Sequence, residues 1–350
     1  MKFPGAAVAA VSILFAAAPG AQADGVADLF KSKGVKLLVS HPAGGGYDIY
    51  ARFYGRHLKR FLPGEPNVVV QNMPGAAGIA MTNSMFTAQP KDGSVIGLGP
   101  GQLATNAILG APGARYEAAK LSWIGSLNAE VATAIAWHTS PVKTAQDLYT
   151  HELVVGSGGT TDISTISPTV LKNLLGMKFK VITGYRGSAG QVLAVDRGEV
   201  AGIGGYNYGS LRSVKADWLK EKKVNILLQY AFEPHEEMPN VPTLDKLARS
   251  QEEKDVLALV FSPQKMGRAI FGPPGMPAEM LAAHRAAFDA MVKDKEALAE
   301  AQKIQLEIYR PMSGKQMEQL VADLHKSSPA VIKKAAEVIV VSGAGAAKKK

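Results

Sequence analysis

Along residues 35–127, short β-rich runs alternate with stretches whose apolar residues recur at helical spacing. Strands are predicted at Val35–Ser40, Asn67–Gln71 and Ser94–Gly99, with one helix after the first strand and another over Ile79–Ala88. This β-α-β-α-β order is typical of a parallel sheet with crossover helices.

The same rhythm begins again after Pro141. Apolar runs followed by polar, Gly-rich loops occupy residues 152–164, 179–190 and 199–210, a further strand is predicted in 224–232, and a helix over Pro168–Leu175. Two such units in series predict an α/β fold made of two doubly wound lobes.

The C-terminal third has a different pattern. Several prolines in the apolar stretch 261–277 are incompatible with the middle of a helix and predict an extended segment that crosses between the lobes. Helices follow over 277–292, 295–305 and 315–325, without strands of their own to cover. We therefore expect them to pack on the first sheet. The predicted boundaries are 24–127 and 266–345 for lobe one, 128–265 for lobe two, and 346–350 for a basic tail.

The N-terminus has the pattern of a targeting signal. Lys2 is followed by an apolar run, a Pro19-Gly20 break and the sequence Ala21-Gln22-Ala23, which together are typical of a secretory signal peptide spanning residues 1–23. The run is shorter than the roughly 20 apolar residues of a membrane-spanning helix. We expect cleavage after Ala23 and a periplasmic protein.

The chain is basic, with a formal net charge of +9. Its positive residues are scattered among acidic ones, apart from the final Lys348-Lys349-Lys350, and no array of aromatic residues suited to base stacking accompanies them. This distribution argues against nucleic acid and favours a general attraction for anions.

The motifs that would indicate catalysis are missing from the sequence. The histidines form no H-E-x-x-H or paired-ligand spacing, and the glycines around Ser157 and Ser188 do not form the G-x-S-x-G elbow. Neither a dinucleotide fingerprint nor a P-loop is present. The prediction is a protein that is not an enzyme and needs neither cofactor nor metal.

Polar, Gly-rich loops instead follow the strands of both lobes, where ligands bind in open α/β sheets. Backbone N–H groups at helix N-termini attract carboxylate or phosphate, so these loops predict an anion site between the lobes. The loops are Ala43–Asp48, Pro74–Gly78 and Pro100–Thr105 in lobe one, and Ser157–Ser164, Arg186–Gly190 and Gly205–Tyr208 in lobe two.

Some residues in these loops allow two interpretations. Asp48 is expected to cap the helix that it begins, and direct ligand contact is the alternative. Arg186 could bind a carboxylate through its guanidinium or form a surface ion pair. Tyr206 and Tyr208 could line the site or pack within the lobe.

Seven ordered motifs, from about Asp28 to Val321, resemble the periplasmic solute receptors of tripartite tricarboxylate transporters, also called Bug-type binding proteins. The motifs are GGGYDIYAR, VVVQNMPGAAG, PKDGSVIG, GSGGTTDIS, GYRGSAG, DRGEVAG and VPTL. The resemblance implies two α/β lobes joined by two crossing strands that close on a small organic acid.

The resemblance also implies which residues bind the ligand. The backbone of Pro42–Asp48 would hold one carboxylate, partly through ordered water. The residues implied are Ala43, Gly44, Gly45, Gly46, Tyr47 and Asp48 from lobe one, and Ser157, Gly159, Thr160, Thr161, Arg186, Gly187, Ser188 and Tyr206 from lobe two.

The expected function is capture of a di-, tri- or aromatic carboxylate by a monomer and its delivery to the transmembrane subunits of a transporter. Two alternatives remain open at this stage: a binding subunit that reports to a sensor, and a secreted enzyme acting on an organic acid. Two features of this chain differ from the commoner residues of the family and bear on the choice of ligand, namely His41 and Ala43 in the first loop and the Tyr206-Asn207-Tyr208 run.

Overall fold

A computed structural model describes residues 19–340 apart from 160, 161 and 186, and of residues 19–24 and 213 it describes only the backbone. The strands are β1 Val35–Val39, β2 Val68–Asn72, β3 Val95–Gly99, β4 Ser122–Ser126, β5 Ala132–Trp137, β6 Leu153–Ser157, β7 Phe179–Thr183, β8 Gly202–Asn207, β9 Val224–Gln229, β10 Ala269–Gly272 and β11 Met312–Ser313. The α-helices are α1 Pro19–Lys33, α2 Gly46–Leu58, α3 Ile79–Thr87, α4 Ile163–Leu175, α5 Gly187–Asp196, α6 Tyr208–Val214, α7 Ala216–Lys220, α8 Leu244–Leu247, α9 Gln251–Phe261, α10 Ala278–Met291, α11 Lys295–Lys303, α12 Gly314–His325 and α13 Pro329–Ile339.

The strands form two mixed sheets, one in each lobe. The first sheet has the order β11-β4-β10-β3-β1-β2, and the second has the order β7-β6-β8-β5-β9. β1 pairs in parallel with both β2 and β3, as the β-α-β-α-β pattern predicts, while β10 runs antiparallel to β3 and β4. The carboxyl ends of β1, β3 and β4 therefore meet the amino end of β10 at one edge of the first sheet.

Helices cover both faces of each sheet, which explains why strands such as β3, β4 and β5 are apolar or buried along nearly their whole length. In the first lobe, α1, α2, α10 and α11 bury one face, and α3 and α12 bury the other. In the second lobe, α4, α9 and α13 lie on one face and α5, α6 and α7 on the other. The predicted fold class, two α/β lobes of the periplasmic binding protein type, is confirmed.

Two of the segments that connect the lobes lie side by side. The chain passes to the second lobe between β4 and β5 and returns between α9 and β10, and the two segments are hydrogen-bonded to each other through Glu130 N–H to Gln264 O and Gly267 N–H to Asn128 O. The returning segment, predicted to be extended, is a 3-10 turn over Ser262–Met266 followed by β10.

The C-terminal helices divide between the lobes. α10 and α12 pack against β4 of the first sheet, as expected, whereas α13 packs against α4 and α9 of the second lobe although the sequence assigned 266–345 to the first. The exact lobe boundaries stay a prediction. α4 begins at Ile163 rather than at Pro168, because the side chain of Asp162 caps it by accepting a hydrogen bond from Ser164 N–H.

Candidate functional site

The turn after β1 exposes its backbone to solvent. Gly44 has φ +82°, a conformation that favours glycine, but Gly45 is extended with φ −87° and ψ 172°. A Cβ added at Gly45 would lie 3.7 Å from the nearest atom, Pro42 O, and one at Gly46 would lie 3.7 Å from Nη2 of Arg268, so neither glycine is required sterically. Residues 42–46 are all exposed, and because residues 44–46 are glycines without side chains, the backbone there is open to approach.

The helix that follows the turn begins without a side-chain cap. Gly45 is the N-cap of α2 and has no side chain to offer, whereas α4, α9, α11, α12 and α13 are each capped by an aspartate or serine. The first N–H groups of a helix have no partner within it, and they carry partial positive charge. The start of α2 is therefore an exposed group of donors suited to an anion.

Asp48 holds this turn in place through side-chain hydrogen bonds. Its carboxylate is buried and accepts hydrogen bonds from Gly44 N–H at 2.9 Å, Arg52 Nε at 3.0 Å and Asn72 Nδ2 at 2.9 Å. The hydrogen bond from Arg52 is the main cause that lowers the pKa of Asp48 to about 2. The described contacts of Asp48 are thus local, and its contact with ligand stays a prediction.

Arg268, which the sequence analysis did not single out, lies beside the turn. Its guanidinium carbon is 4.2 Å from the centroid of the Tyr47 ring and 4.6 Å from that of Tyr50, and its Nη1 contacts the carboxylate of Glu130. The only indication in the sequence is its position, a lone arginine directly before the buried AIFG strand in the returning segment.

His41 completes this group. Its ring stacks on Tyr47 with centroids 4.0 Å apart, and its Nδ1 is 2.8 Å from the hydroxyl of Ser40. Burial, together with the nearby charge of Arg268, lowers the pKa of His41 to about 4. The imidazole is therefore neutral at pH 7, and Arg268 is the cation of this cluster.

The loop after β6 is arranged differently. Ser157 is buried, and its hydroxyl contacts Thr165 Oγ1 and lies 3.1 Å from the hydroxyl of Ser164. Gln191 Nε2 donates to the hydroxyl of Ser164 at 3.0 Å, and that hydroxyl donates to Asp162 at 2.8 Å. These polar groups are largely satisfied by one another.

The other predicted residues of the second lobe fall into three groups. Gly159 is half-buried, and its carbonyl accepts a hydrogen bond from Thr165, while Gly187 and Ser188 are exposed at the start of α5. Tyr206 and Tyr208 are buried in the hydrophobic cluster beneath α5, α6 and α7, and the hydroxyl of Tyr208 donates to Glu237 at 2.8 Å. Thr160, Thr161 and Arg186 lie outside the described residues.

A cavity of about 250 Å³ lies where the segments between the lobes meet. Residues 129–131, 230–233, 264–265 and 309–312 contribute to its wall, and none of the predicted site residues that the structure describes does. Its location does not coincide with the Gly-rich loops, and we place the candidate site at the loops because their donors are exposed and uncapped.

Neither a metal centre nor a membrane span emerges from the described part of the chain. Its histidines and carboxylates form no cluster that could hold a metal ion, and none of its helices has the length and apolar character needed to cross a membrane.

Known proteins resemble the chain in sequence. The family described as tripartite tricarboxylate transporter family receptor, TctC, matches residues 58–336. A protein of Cupriavidus necator named UPF0065 protein in gbd 5'region is 26% identical over 341 residues, which is 93% of this chain and 94% of that protein.

Solved structures share the fold. A TctC solute-binding protein from Polaromonas superposes with a TM-score of 0.66 at 21% identity, covering 87% of this chain and 97% of that one. MatC from Rhodopseudomonas palustris, with bound malate, has a TM-score of 0.59 at 19% identity and coverages of 87% and 98%. A protein from the same organism with adipate also has a TM-score of 0.59 at 19% identity, with coverages of 86% and 96%. With the family match extending over most of its length, this chain belongs to the tripartite tricarboxylate transporter family receptors.

Proposed function

We propose that this chain is a periplasmic receptor that captures a small organic carboxylate between its two lobes and delivers it to the transmembrane subunits of a tripartite transporter. Family membership supports the receptor role, and relatives of the same fold are known with malate and with adipate. Receptors of this family bind solutes and form no class of enzymes, which accords with the missing catalytic motifs.

The observation that carries the proposal is the bare turn at Gly45 and Gly46. Two exposed glycines that the backbone does not require are placed at an uncapped helix start, where a side chain would hide the N–H donors. Such donors bind carboxylate through hydrogen bonds and the helix dipole. We expect a carboxylate of the ligand to accept hydrogen bonds from the first N–H groups of α2, in place of a side-chain cap.

Two lobes joined by neighbouring segments suit closure around the ligand. Closure would bring donors from the second lobe to the other end of the acid, and the ligand would select the closed arrangement because only there does it contact both lobes. In this proposal the loop at Ser157–Ser164 and the start of α5 form the opposing wall.

Periplasmic export belongs to the same proposal. The predicted signal peptide falls largely on residues 1–18, outside the described residues, and cleavage after Ala23 would remove the first residues of α1. The N-terminal residue of protein purified from the periplasm, read by mass spectrometry, should be Asp24.

A thermal-shift screen of mono-, di-, tri- and aromatic carboxylates tests the ligand class. An acid present at 100 times its dissociation constant should add about 2.7 kcal/mol to the free energy of unfolding. The bound acid should be recovered chemically unchanged, and a strain lacking the receptor should lose uptake of that acid. Stabilisation by sugars or amines alone would reject the carboxylate assignment, and turnover of the acid would reject the receptor role.

A further inference from the structure

Arg268 presents an unusual balance of contacts for a charge at the junction of two lobes. Its side chain is 11% exposed, and Nη1 is occupied by Glu130 and by the carbonyl of Gly267 at 3.0 Å. Its Nε is buried and has no hydrogen-bond partner among the described residues. A buried donor without a partner costs free energy. The unpaired Nε of Arg268 therefore needs a structural or functional explanation.

The unused part of the guanidinium faces the turn. Nη2, which forms one edge of the guanidinium together with Nε, lies 3.7 Å from the position of a Cβ on Gly46. Such an edge can bind a carboxylate through two parallel hydrogen bonds. The rings of Tyr47 and Tyr50 lie against the guanidinium and hold its plane in place.

We propose that Arg268 binds one carboxylate of the ligand beside the Gly44–Tyr47 turn. As a result, the first lobe requires a ligand group that carries a full negative charge. This inference rests on the proposed function and adds a specificity determinant to it. The helix start alone would tolerate a neutral oxygen acceptor, whereas a desolvated guanidinium discriminates strongly between a carboxylate and an amide.

Glu130 has a defined part in this arrangement. It binds Nη1 and so orients the guanidinium, but it also offsets part of the positive charge that the ligand needs. The neutral His41 adds no charge of its own. Removing the charge of Glu130 while keeping its size should therefore strengthen ligand binding.

The experiment uses acetate, malate, adipate, citrate and benzoate as probes, each beside its amide, titrated calorimetrically into the full mature protein. For every probe that binds the wild type, Arg268→Met should raise the dissociation constant roughly 30-fold or more, because a buried charged partner is removed. Arg268→Lys should recover part of the loss. The wild type should bind each amide much more weakly than its acid, and Arg268→Met should remove most of that difference.

Two further variants separate ligand binding from a structural role. Arg212 also forms ion pairs near the junction, with Glu237 and Glu307, but it is more exposed, so Arg212→Met should change affinity by no more than about twofold. Glu130→Gln should bind the acid more tightly than the wild type, because the negative charge that offsets Arg268 is removed. If Arg268 acted only by holding Glu130, Glu130→Gln and Arg268→Met would weaken binding alike.

The outcomes distinguish this inference from the function on which it rests. Failure of every acid to bind the wild type would overturn the proposed function and the inference together. Wild-type binding that survives Arg268→Met, or that does not distinguish acid from amide, would overturn the inference and leave the receptor standing.

Discussion

The turn after β1 and the loop after β6 occupy equivalent places in the two lobes, yet they use their polar groups in opposite ways. The first is exposed, built of backbone, and begins a helix whose N-terminus has no side-chain cap. The second is rich in hydroxyl groups, its described residues are buried or half-buried, and it begins a helix capped by Asp162. The hydroxyl groups of Ser157 and Ser164 are already hydrogen-bonded within the lobe.

This difference indicates a division of labour. An uncapped helix start beside an arginine has donors available for an anion, whereas a satisfied network has to lose hydrogen bonds before it can gain others. We expect the first lobe to anchor the carboxylate and the second lobe to complete the enclosure and define its shape.

The largest effect is expected from Gly45→Val. The backbone at Gly45 suits any residue and a Cβ fits without close contact, so the fold should survive, but a branched side chain would cover the first donors of α2. We expect the dissociation constant to rise roughly 100-fold, which corresponds to about 2.7 kcal/mol. Isothermal titration measures the affinity, and the melting temperature verifies the fold.

The matched control is Gly159→Val in the opposite loop, where a Cβ would meet none of the described residues within 4 Å. It should weaken binding by no more than about fivefold, or 1 kcal/mol. A larger loss for Gly159→Val than for Gly45→Val would reverse the proposed division between the lobes.

Asp48→Ala should destabilise the protein by about 2 kcal/mol, because three hydrogen bonds to a buried carboxylate are lost and their donors remain. The pKa of Asp48 lies at about 2, below the usual 3.8, so its ionised form stabilises the fold above about pH 4 and this contribution disappears as the pH falls through 2. Urea unfolding should therefore show a difference between variant and wild type that narrows under acid conditions. A constant difference between pH 5 and pH 2 would contradict the role given to the ionised carboxylate.

Asp162→Ala should cost about 1 kcal/mol of stability through the loss of a helix cap. Asp162 stabilises the loop after β6, whereas Asp48 stabilises the turn after β1, which is proposed to bind the carboxylate. We therefore expect Asp162→Ala to lose less carboxylate affinity than Asp48→Ala. Paired urea and titration measurements on both variants test this order, and the reverse order would make the second loop the anchor.

The smallest effect concerns His41. Its pKa of about 4 keeps the ring neutral above pH 6, so His41 adds no charge to the site, and the affinity for a fully ionised acid should change by less than about twofold between pH 8 and pH 6. Titrations across this range, with His41→Gln as the control, provide the measurement. An affinity that rises on acidification in the wild type and stays flat in His41→Gln would show that the imidazole takes up a proton at the site.

Much of the fold could be predicted because the relevant patterns are local. Short β-rich runs and helical spacing locate β1, β2, α3 and β3 to within a residue or two, and strand-helix alternation then indicates parallel pairing. The helix α2 ends at Leu58, although its apolar spacing continues to Leu62. The helix start at Ile163 was missed because Pro168 suggested a first turn, although Asp162 with the serines and threonines around it is a capping signal. The strands β4 and β5 were not identified, since the junction between lobes carries no break in composition.

By itself, the sequence determined that a Gly-rich turn connects a buried strand to a helix, and that Asp48 stands in the first turn of that helix. Both features depend on residues a few positions apart, whose geometry is set by backbone sterics and local hydrogen bonds. Only the tertiary structure decided that Arg268 lies against Tyr47 and Gly46, that Glu130 orients it, and that α13 covers the second lobe. Arg268 and Tyr47 are separated by more than two hundred residues, and their contact exists because β10 inserts antiparallel between β3 and β4, a pairing that depends on burial across the whole sheet rather than on any local pattern.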